Sequence, residues 1–231
     1  MANFQRTAFR SALAAFLLSG AMSAAPLAGD LSRYRNFELG SDLATVAKQA
    51  AADPSQAKVI HSRPALIQEL EWRPQPLGPS AQTEPAQGVV FRFYDGELFR
   101  IVVEYDRYET EGLTVADLVE AISATYGPAG KPTTAVKIAP DIYGDQDEPL
   151  AQWQDSQYRF DLIRSSYGPT FRLVGVMKRL EAPAEAATLE AKRLDDLEAP
   201  QRDAARLASE EDAAKTKLEK ARLVNKPKFR P

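Results

Sequence analysis

The chain has 231 residues, a formal net charge of -3 and no cysteine. Without cysteine it has no disulfides, no thiol nucleophile and no lipid attached at a cysteine, so packing alone must hold the mature protein together. The small net charge does not point to nucleic acid or an acidic membrane as a partner, and the length suits one domain of about 150 residues with appendages.

The N-terminus predicts a signal peptide. Arg6 and Arg10 precede an uncharged, mostly apolar stretch at residues 11–25, which is shorter than the roughly 20 apolar residues of a membrane-spanning helix. Small residues around Ser23 offer a cleavage frame. We therefore expect residues 1–25 to be removed and the mature protein to be periplasmic or secreted, without stable membrane insertion. The alternative is that the segment stays attached as a weak membrane anchor.

The first half of the mature chain predicts a helix, two strands and a loop. Ser41 or Asp42 can cap a helix that ends near Ala52. Four prolines interrupt the polar run that follows the second strand, which predicts a flexible loop. The two strands and the loop are expected at residues 57–62, 65–72 and 74–87.

A β-hairpin is predicted at residues 88–104, where two alternating strands flank Asp95-Gly96. A two-residue turn there would split the apolar side chains between both faces of the sheet. A three-residue loop that includes Tyr94 keeps them on one face and pairs Phe91 with Phe99, so we prefer it. The expected core face then carries Val89, Phe91, Phe93, Phe99, Ile101 and Val103.

The second half repeats this order. Thr114-Val-Ala-Asp117 is a capping-box variant that begins a helix, and Gly127-Pro128 ends it. Asp42-Leu43 aligns with Asp117-Leu118, and the only two tryptophans fall in corresponding strands. Chance similarity between amphipathic segments is the alternative to an internal duplication. Strands are expected at residues 133–138, 150–155, 158–164 and 170–178.

We therefore predict an α+β fold of two tandem modules, each with one helix and a four-stranded antiparallel sheet, at residues 36–110 and 111–179. Residues 180–231 are rich in strong helix formers and predict a charged helical tail with a disordered end. Pro200 should break or kink it. Its leucines are too sparse for a sustained heptad seam, so a solvated helix is favoured over docking or oligomerisation.

The sequence offers little catalytic chemistry. His61 is the only histidine and alternates with Val59 on a predicted strand, where a structural histidine is the commoner case. No phosphate-binding loop or zinc motif is present. We therefore expect no enzyme activity, no cofactor and no metal. The acidic loop contains Asp141, Asp145, Asp147 and Glu148, but their spacing is not that of an EF-hand, so a solvated turn is favoured over a calcium site.

Surface recognition is the remaining kind of function. An antiparallel sheet with helices on one side presents an open face made of alternate residues. The alternative for its charges is cross-strand ion pairing on a solvated face. The candidate partner-binding residues are Arg92, Tyr94, Arg100, Glu104, Arg159, Asp161 and Arg172.

The order of elements over residues 36–178 resembles the β-lactamase inhibitor protein fold and the related single-module SmpA/OmlA outer-membrane assembly lipoproteins. The inhibitor resemblance implies a concave sheet that grips another protein. The chain departs from both, because inhibitor modules usually carry disulfides and the lipoproteins carry a lipidated cysteine. We predict an exported noncatalytic module that binds another envelope or secreted protein through the open sheet face. The alternatives are a structural envelope protein that self-associates through its tail and an extracytoplasmic hydrolase that uses acidic residues.

Overall fold

Nine strands and three α-helices make up the described part of the chain, which in this computed structural model comprises residues 29–74, 85–132, 148–165, 171–228 and 230. The strands are β1 (Arg33–Tyr34), β2 (Phe37–Glu38), β3 (Lys58–His61), β4 (Ile67–Trp72), β5 (Ala86–Tyr94), β6 (Glu97–Tyr105), β7 (Glu148–Gln154), β8 (Tyr158–Arg164) and β9 (Phe171–Met177). The helices are α1 (Leu43–Gln49), α2 (Val115–Tyr126) and α3 (Lys178–Asn225).

Seven strands form one antiparallel sheet in the order β3-β4-β5-β6-β9-β8-β7, and β1 and β2 form a separate ribbon. The two halves of the chain meet at the centre of the sheet, where Val102 of β6 lies opposite Val174 of β9. The predicted α+β class with an antiparallel sheet and a helical tail is confirmed. The two halves share one continuous sheet rather than forming two four-stranded sheets, and the strand predicted at residues 133–138 lies outside the described residues.

The turn of the central hairpin differs from the prediction. Asp95 and Gly96 both have positive φ, 48° and 85°, which is the backbone of a two-residue turn of the type that matches strand twist. Phe93 therefore lies opposite Leu98. The predicted three-residue loop is wrong because Asp-Gly forms the tight turn without Tyr94, which pairs with Glu97.

A β-bulge in β6 restores the alternation that the predicted loop was meant to supply. Arg92 lies opposite Arg100, so Phe99 is an extra residue without a partner in β5. Beyond the bulge Phe91 lies opposite Ile101. The predicted pairing of Phe91 with Phe99 is therefore wrong, and Leu98 is the residue opposite Phe93. Phe99 is still buried in the main core, as predicted.

The main core contains residues from one face of the sheet, from α1, α2 and the short ribbon, and also Leu180 and Ala184 of α3. Asp42 caps α1 by accepting a hydrogen bond from the Thr45 amide at 2.8 Å, and Thr114 and Asp117 form the predicted capping box of α2. The Phe37 ring of β2 lies 4.5 Å from the Phe91 ring, measured between centroids. The sequence signals at both helix starts are thus confirmed.

The opposite face of the sheet is also buried at its centre. Val102, Val174, Val176 and Ile163 form a second, smaller apolar cluster there. The near-continuous apolar runs of β6 and β9 explain this, because a strand that is buried on both faces loses the simple alternation of apolar and polar residues.

Helix α3 begins directly after β9 and crosses this second face. Its buried residues are Leu180, Ala184, Ala187 and Ala191, at helical spacing. The helix continues through Pro183 and Pro200 to Asn225, so it is not broken at Pro200. The kink expected there stays a prediction. None of the helices found in the described stretches is both long and apolar enough to span a membrane.

Candidate functional site: a groove between the sheet and helix α3

A charged network joins the start of α3 to the second face of the sheet. Arg159 of β8 donates to Asp161 at 2.7 Å and to Glu181 of α3 at 2.5 Å. The Glu181 carboxylate also lies 3.5 Å from the Arg100 guanidinium, and Glu185 lies 3.7 Å from it. Three of the predicted partner-binding residues are therefore brought together, and their partner is a helix of the same chain.

Burial sets the electrostatics of this network. Removal from water lowers the pKa of the Arg100 guanidinium, and the nearby charge of Arg92 acts in the same direction. Burial by itself would also lower the pKa of Arg159. The hydrogen bonds to Glu181 and Asp161 have a larger combined effect, so the pKa of Arg159 is raised. Both arginines stay protonated at neutral pH, so the network holds buried, paired charges.

The other predicted site residues are spread over the sheet. Arg92 donates to Glu69 of β4 at 2.9 Å. Tyr94 ends β5 and packs against the main core. Glu104 and Arg172 lie opposite each other at the far end of β6, where the buried Arg172 donates to the Ser165 hydroxyl at 2.9 Å. The seven residues do not form a single open patch, because α3 pairs with Arg100 and Arg159 while Tyr94 packs against the main core.

A groove of about 390 Å³ remains between α3 and the strands on one side of this network. Its apolar lining is contributed by Ile60, Ile67, Phe99, Ala184 and Leu189. The paired Arg92 and Glu69 form part of its polar lining, together with Arg100 and Lys192. This volume lies within the range of ligand-binding clefts, and a mostly apolar lining with a few polar groups is typical of them.

Two backbone irregularities supply apolar side chains to the groove. Phe99 is the extra residue of the bulge in β6. Ile60 lies where the pairing of β3 with β4 shifts between Val59 and His61. Bulges commonly redirect side chains at binding sites. Sequence analysis missed both residues, and the signal that would have placed Phe99 here is the Asp-Gly turn, which fixes a two-residue connection.

The groove opens beside β3, which lies at one edge of the sheet and pairs only with β4 among the strands described here. Val59 and Ile60 of this strand are 56% and 46% exposed. The connection after β3 is tied to α3 by an ion pair between Arg63 and Glu198. The groove therefore has an apolar interior and an exposed strand at its side, and the Arg63–Glu198 ion pair joins that side to α3.

The acidic loop contributes little to the described site. Asp141, Asp145 and Asp147 lie outside the described residues, and Glu148 at the start of β7 lies 3.4 Å from Arg164. Within the described ranges, no three acidic, histidine or cysteine side chains are grouped to hold a metal ion. His61 lines the groove beside Ile60.

Comparison with known proteins finds no counterpart for this chain. No family model, curated protein or solved structure matches it. The resemblance to the β-lactamase inhibitor fold therefore stays a prediction. The candidate function rests on the groove, the edge strand and the charged network.

Proposed function

We propose that the protein is an exported, noncatalytic binding protein that holds an extended segment of another envelope or secreted protein. The observation that carries this proposal is the apolar groove beside the edge strand β3. The bound segment pairs with β3 through its backbone and inserts one apolar side chain between Ile60 and Leu189.

The edge strand supplies the backbone part of this interaction. Strand β3 has neighbouring strand β4 on one side only, within the sheet as described, so its outer backbone groups can pair with an added strand. Exposed apolar side chains on an edge strand favour association with another chain. The charge of Lys58 at the start of β3 is paired with Glu71 at 2.6 Å.

The groove supplies specificity through its apolar lining. Arg92 and Glu69 already neutralise each other at 2.9 Å, so an apolar side chain can cover them without leaving a single charge unpaired. Phe99 and Leu189 then bury apolar area on the incoming side chain, at about 25 cal/mol for each Å². A short apolar anchor flanked by strand pairing is a recurring mode of peptide recognition.

The proposed binding surface lies at the β3 edge of the sheet rather than on the open face. Arg100 and Arg159 are paired with Glu181 of α3, and the buried Asp161 is paired with Arg159. A partner protein therefore reaches these residues only if the helix leaves. Arg92 remains beside the groove and keeps its predicted role near the partner. The groove carboxylates Glu69 and Glu185 pair with arginines, which supports a binding role over a hydrolytic one.

Capture from an envelope extract with the tagged mature protein tests the proposal. The groove variant combines Ile60→Lys with Leu189→Lys, and the matched control is Val59→Lys, because Val59 pairs with Gln68 and lies on the opposite face of β3. We expect one protein to be captured by the parent and the control, and at least about tenfold less by the groove variant. Equal capture by all three would overturn the groove as the binding site.

The strand-pairing part has its own test. Peptides that tile the captured protein are titrated against the parent, and the tightest binder is then methylated at alternate backbone amides. Methylation of the peptide amides that face β3 should abolish binding, because these amides donate hydrogen bonds to the edge strand. Methylation of the amides that face away should leave binding unchanged. Equal loss of binding on methylation at every position would exclude strand addition. The groove variants would still test the groove itself.

Export is tested separately by fractionation and N-terminal sequencing of the protein made from the full chain. We expect the protein outside the cytoplasm with an N-terminus close to residue 24. A protein that stays in the cytoplasmic fraction and still begins at Met1 would show that it is not exported.

A further inference from the structure

The outer part of α3 has no support from the body of the protein. Residues 201–225 are exposed on every side, whereas most helices in proteins gain their stability from packing of one face rather than from helix propensity. Ion pairs within the helix, such as Arg206 with Glu210 at 2.9 Å, contribute a few tenths of a kcal/mol each. Docking of a partner along one face would add the tertiary packing that this segment lacks.

One face of this segment carries small and apolar residues at the spacing found in helix–helix interfaces. Leu207 and Leu218 are 53% and 71% exposed and are too far apart to form a heptad seam by themselves. Alanines complete the spacing of three and four residues, with Glu211 as the single interruption. The full seam consists of Ala204, Leu207, Glu211, Ala214, Leu218 and Ala221.

The seam points away from the body of the protein. The buried stripe of α3 contains Ala184, Ala187 and Ala191. At about 100° for each residue, Leu207 and Leu218 lie on the opposite side of the helix from this stripe. A second helix can therefore dock on the seam without displacing α3 from the sheet.

We propose that two copies of the chain associate through this seam with their α3 helices antiparallel. The register sets Leu207 of each copy against Leu218 of the other, and Ala204 against Ala221. Glu211 then lies opposite Ala214, whose small side chain leaves the carboxylate room to reach solvent. The small residues allow the helices to approach closely over about five turns.

Charge complementarity selects the antiparallel arrangement. In this register Glu210 of each copy flanks the seam beside Lys217 of the other, which gives two opposite-charge pairs. Lys217 has no ion-pair partner of its own within the chain as described. A parallel arrangement also forms one attractive pair, Glu210 with Lys215 of the second copy. It places Lys217 beside Arg222, however, and the two Glu211 side chains against each other, and both of these contacts are repulsive. The inference is independent of the groove, since it uses only residues beyond Pro200.

Exchange of the two charges tests the pairing. Glu210→Lys and Lys217→Glu are made singly in the mature full-length chain, and each is expected to raise the dimer dissociation constant at least about tenfold in sedimentation equilibrium. An equimolar mixture of the two variants restores both attractive pairs and should dimerise like the parent. A monomeric parent, or a mixture no better than its components, would overturn the proposal.

Substitution of the seam leucines provides the matched apolar test. Leu207→Glu with Leu218→Glu should give monomers, whereas Leu223→Glu, on the face of the same helix opposite the seam, should leave the dimer intact. Circular dichroism of each variant at high concentration shows whether the helix itself is retained. Dimer loss in the Leu223 variant as well would count against this seam.

Cysteines introduced into this cysteine-free chain report the orientation directly. Ala204→Cys and Ala221→Cys variants should form a disulfide with each other when mixed and little when oxidised separately. Separate cross-linking of each variant with itself would instead identify a parallel dimer and reject the proposed register. The groove-dependent capture of a different protein should be unchanged in all of these variants, so failure of one proposal leaves the other standing.

Discussion

Glu181 on α3 accepts a hydrogen bond from Arg159 on β8, with 2.5 Å between Oε1 and Nη2. The two side chains are 19% and 11% exposed, and the same carboxylate lies near Arg100 of β6. One acidic residue thus joins the first turn of a 48-residue helix to two strands of the sheet.

Replacement of Glu181 by Gln should destabilise the junction between α3 and the sheet. The change leaves Arg100 and Arg159 buried with less counter-charge, and breaking such a pair costs about 2 kcal/mol in the free energy of unfolding. Denaturant unfolding gives the loss, and hydrogen exchange should show faster opening at Leu180 and Ala184. Glu190→Gln, which removes an exposed pair with Arg193, is the control and should change stability by less than about 0.5 kcal/mol.

Gly175→Ala should destabilise the centre of the sheet. A Cβ at this position of β9 would lie 2.5 Å from the Phe160 ring, and overpacking of this kind costs about 1 to 3 kcal/mol. Phe160→Leu in the same chain should recover part of the loss, because it removes the atoms that clash. Purely additive losses in this double-mutant cycle would show that Gly175 is required for another reason.

Gly96→Ala should cost about 1 kcal/mol of unfolding free energy. A Cβ there meets no atom within 4 Å, so the whole effect comes from the backbone, whose φ is 85°. Gly88→Ala is the matched control in the same hairpin, because its Cβ would make only an ordinary contact with the Trp72 carbonyl at 3.9 Å. Equal losses at both positions would contradict the tight turn.

The capping box of α2 should make stability depend on acid pH. A hydrogen bond from the Thr114 hydroxyl, followed by one from the Thr114 amide, lowers the pKa of Asp117. The folded pKa lies below the unfolded value of about 3.9, so the stabilisation is complete above that value and disappears as the pH falls through the folded pKa. Unfolding of the parent and of Asp117→Asn should differ most near neutral pH, and the difference should shrink toward about pH 2.

Local signals in the sequence predicted most of the secondary structure. Asp42 and Thr114 mark both early helices because their side chains satisfy amides that the first turn leaves free. Strand β8 has the bounds that the alternation predicted, and β4 and β9 agree within three residues. These features depend on neighbours in sequence, so they can be predicted without knowing the fold.

The groove could not be predicted in the same way because its residues depend on register and on long-range packing. Phe99 reaches it only because the bulge adds a residue to β6. Arg100 and Arg159 are buried because α3 returns over the sheet, and a helix rich in charged residues gives no local indication of that path. The spacing of Leu180, Ala184, Ala187 and Ala191 was the available signal for a docked face.

No loop separates Met177 of β9 from Lys178 of α3, so the sheet itself sets the direction in which the helix leaves. With 48 residues, α3 has a contour length of about 70 Å. The part of the helix beyond Glu198, the residue paired with Arg63, is about 40 Å long. A rotation of about 5° in the docked part would move the far end of this arm by about 3.5 Å. The charged network at Glu181 therefore helps to set the direction of the whole helix. A small rearrangement around the groove would be amplified into a larger displacement at the C-terminal end of α3.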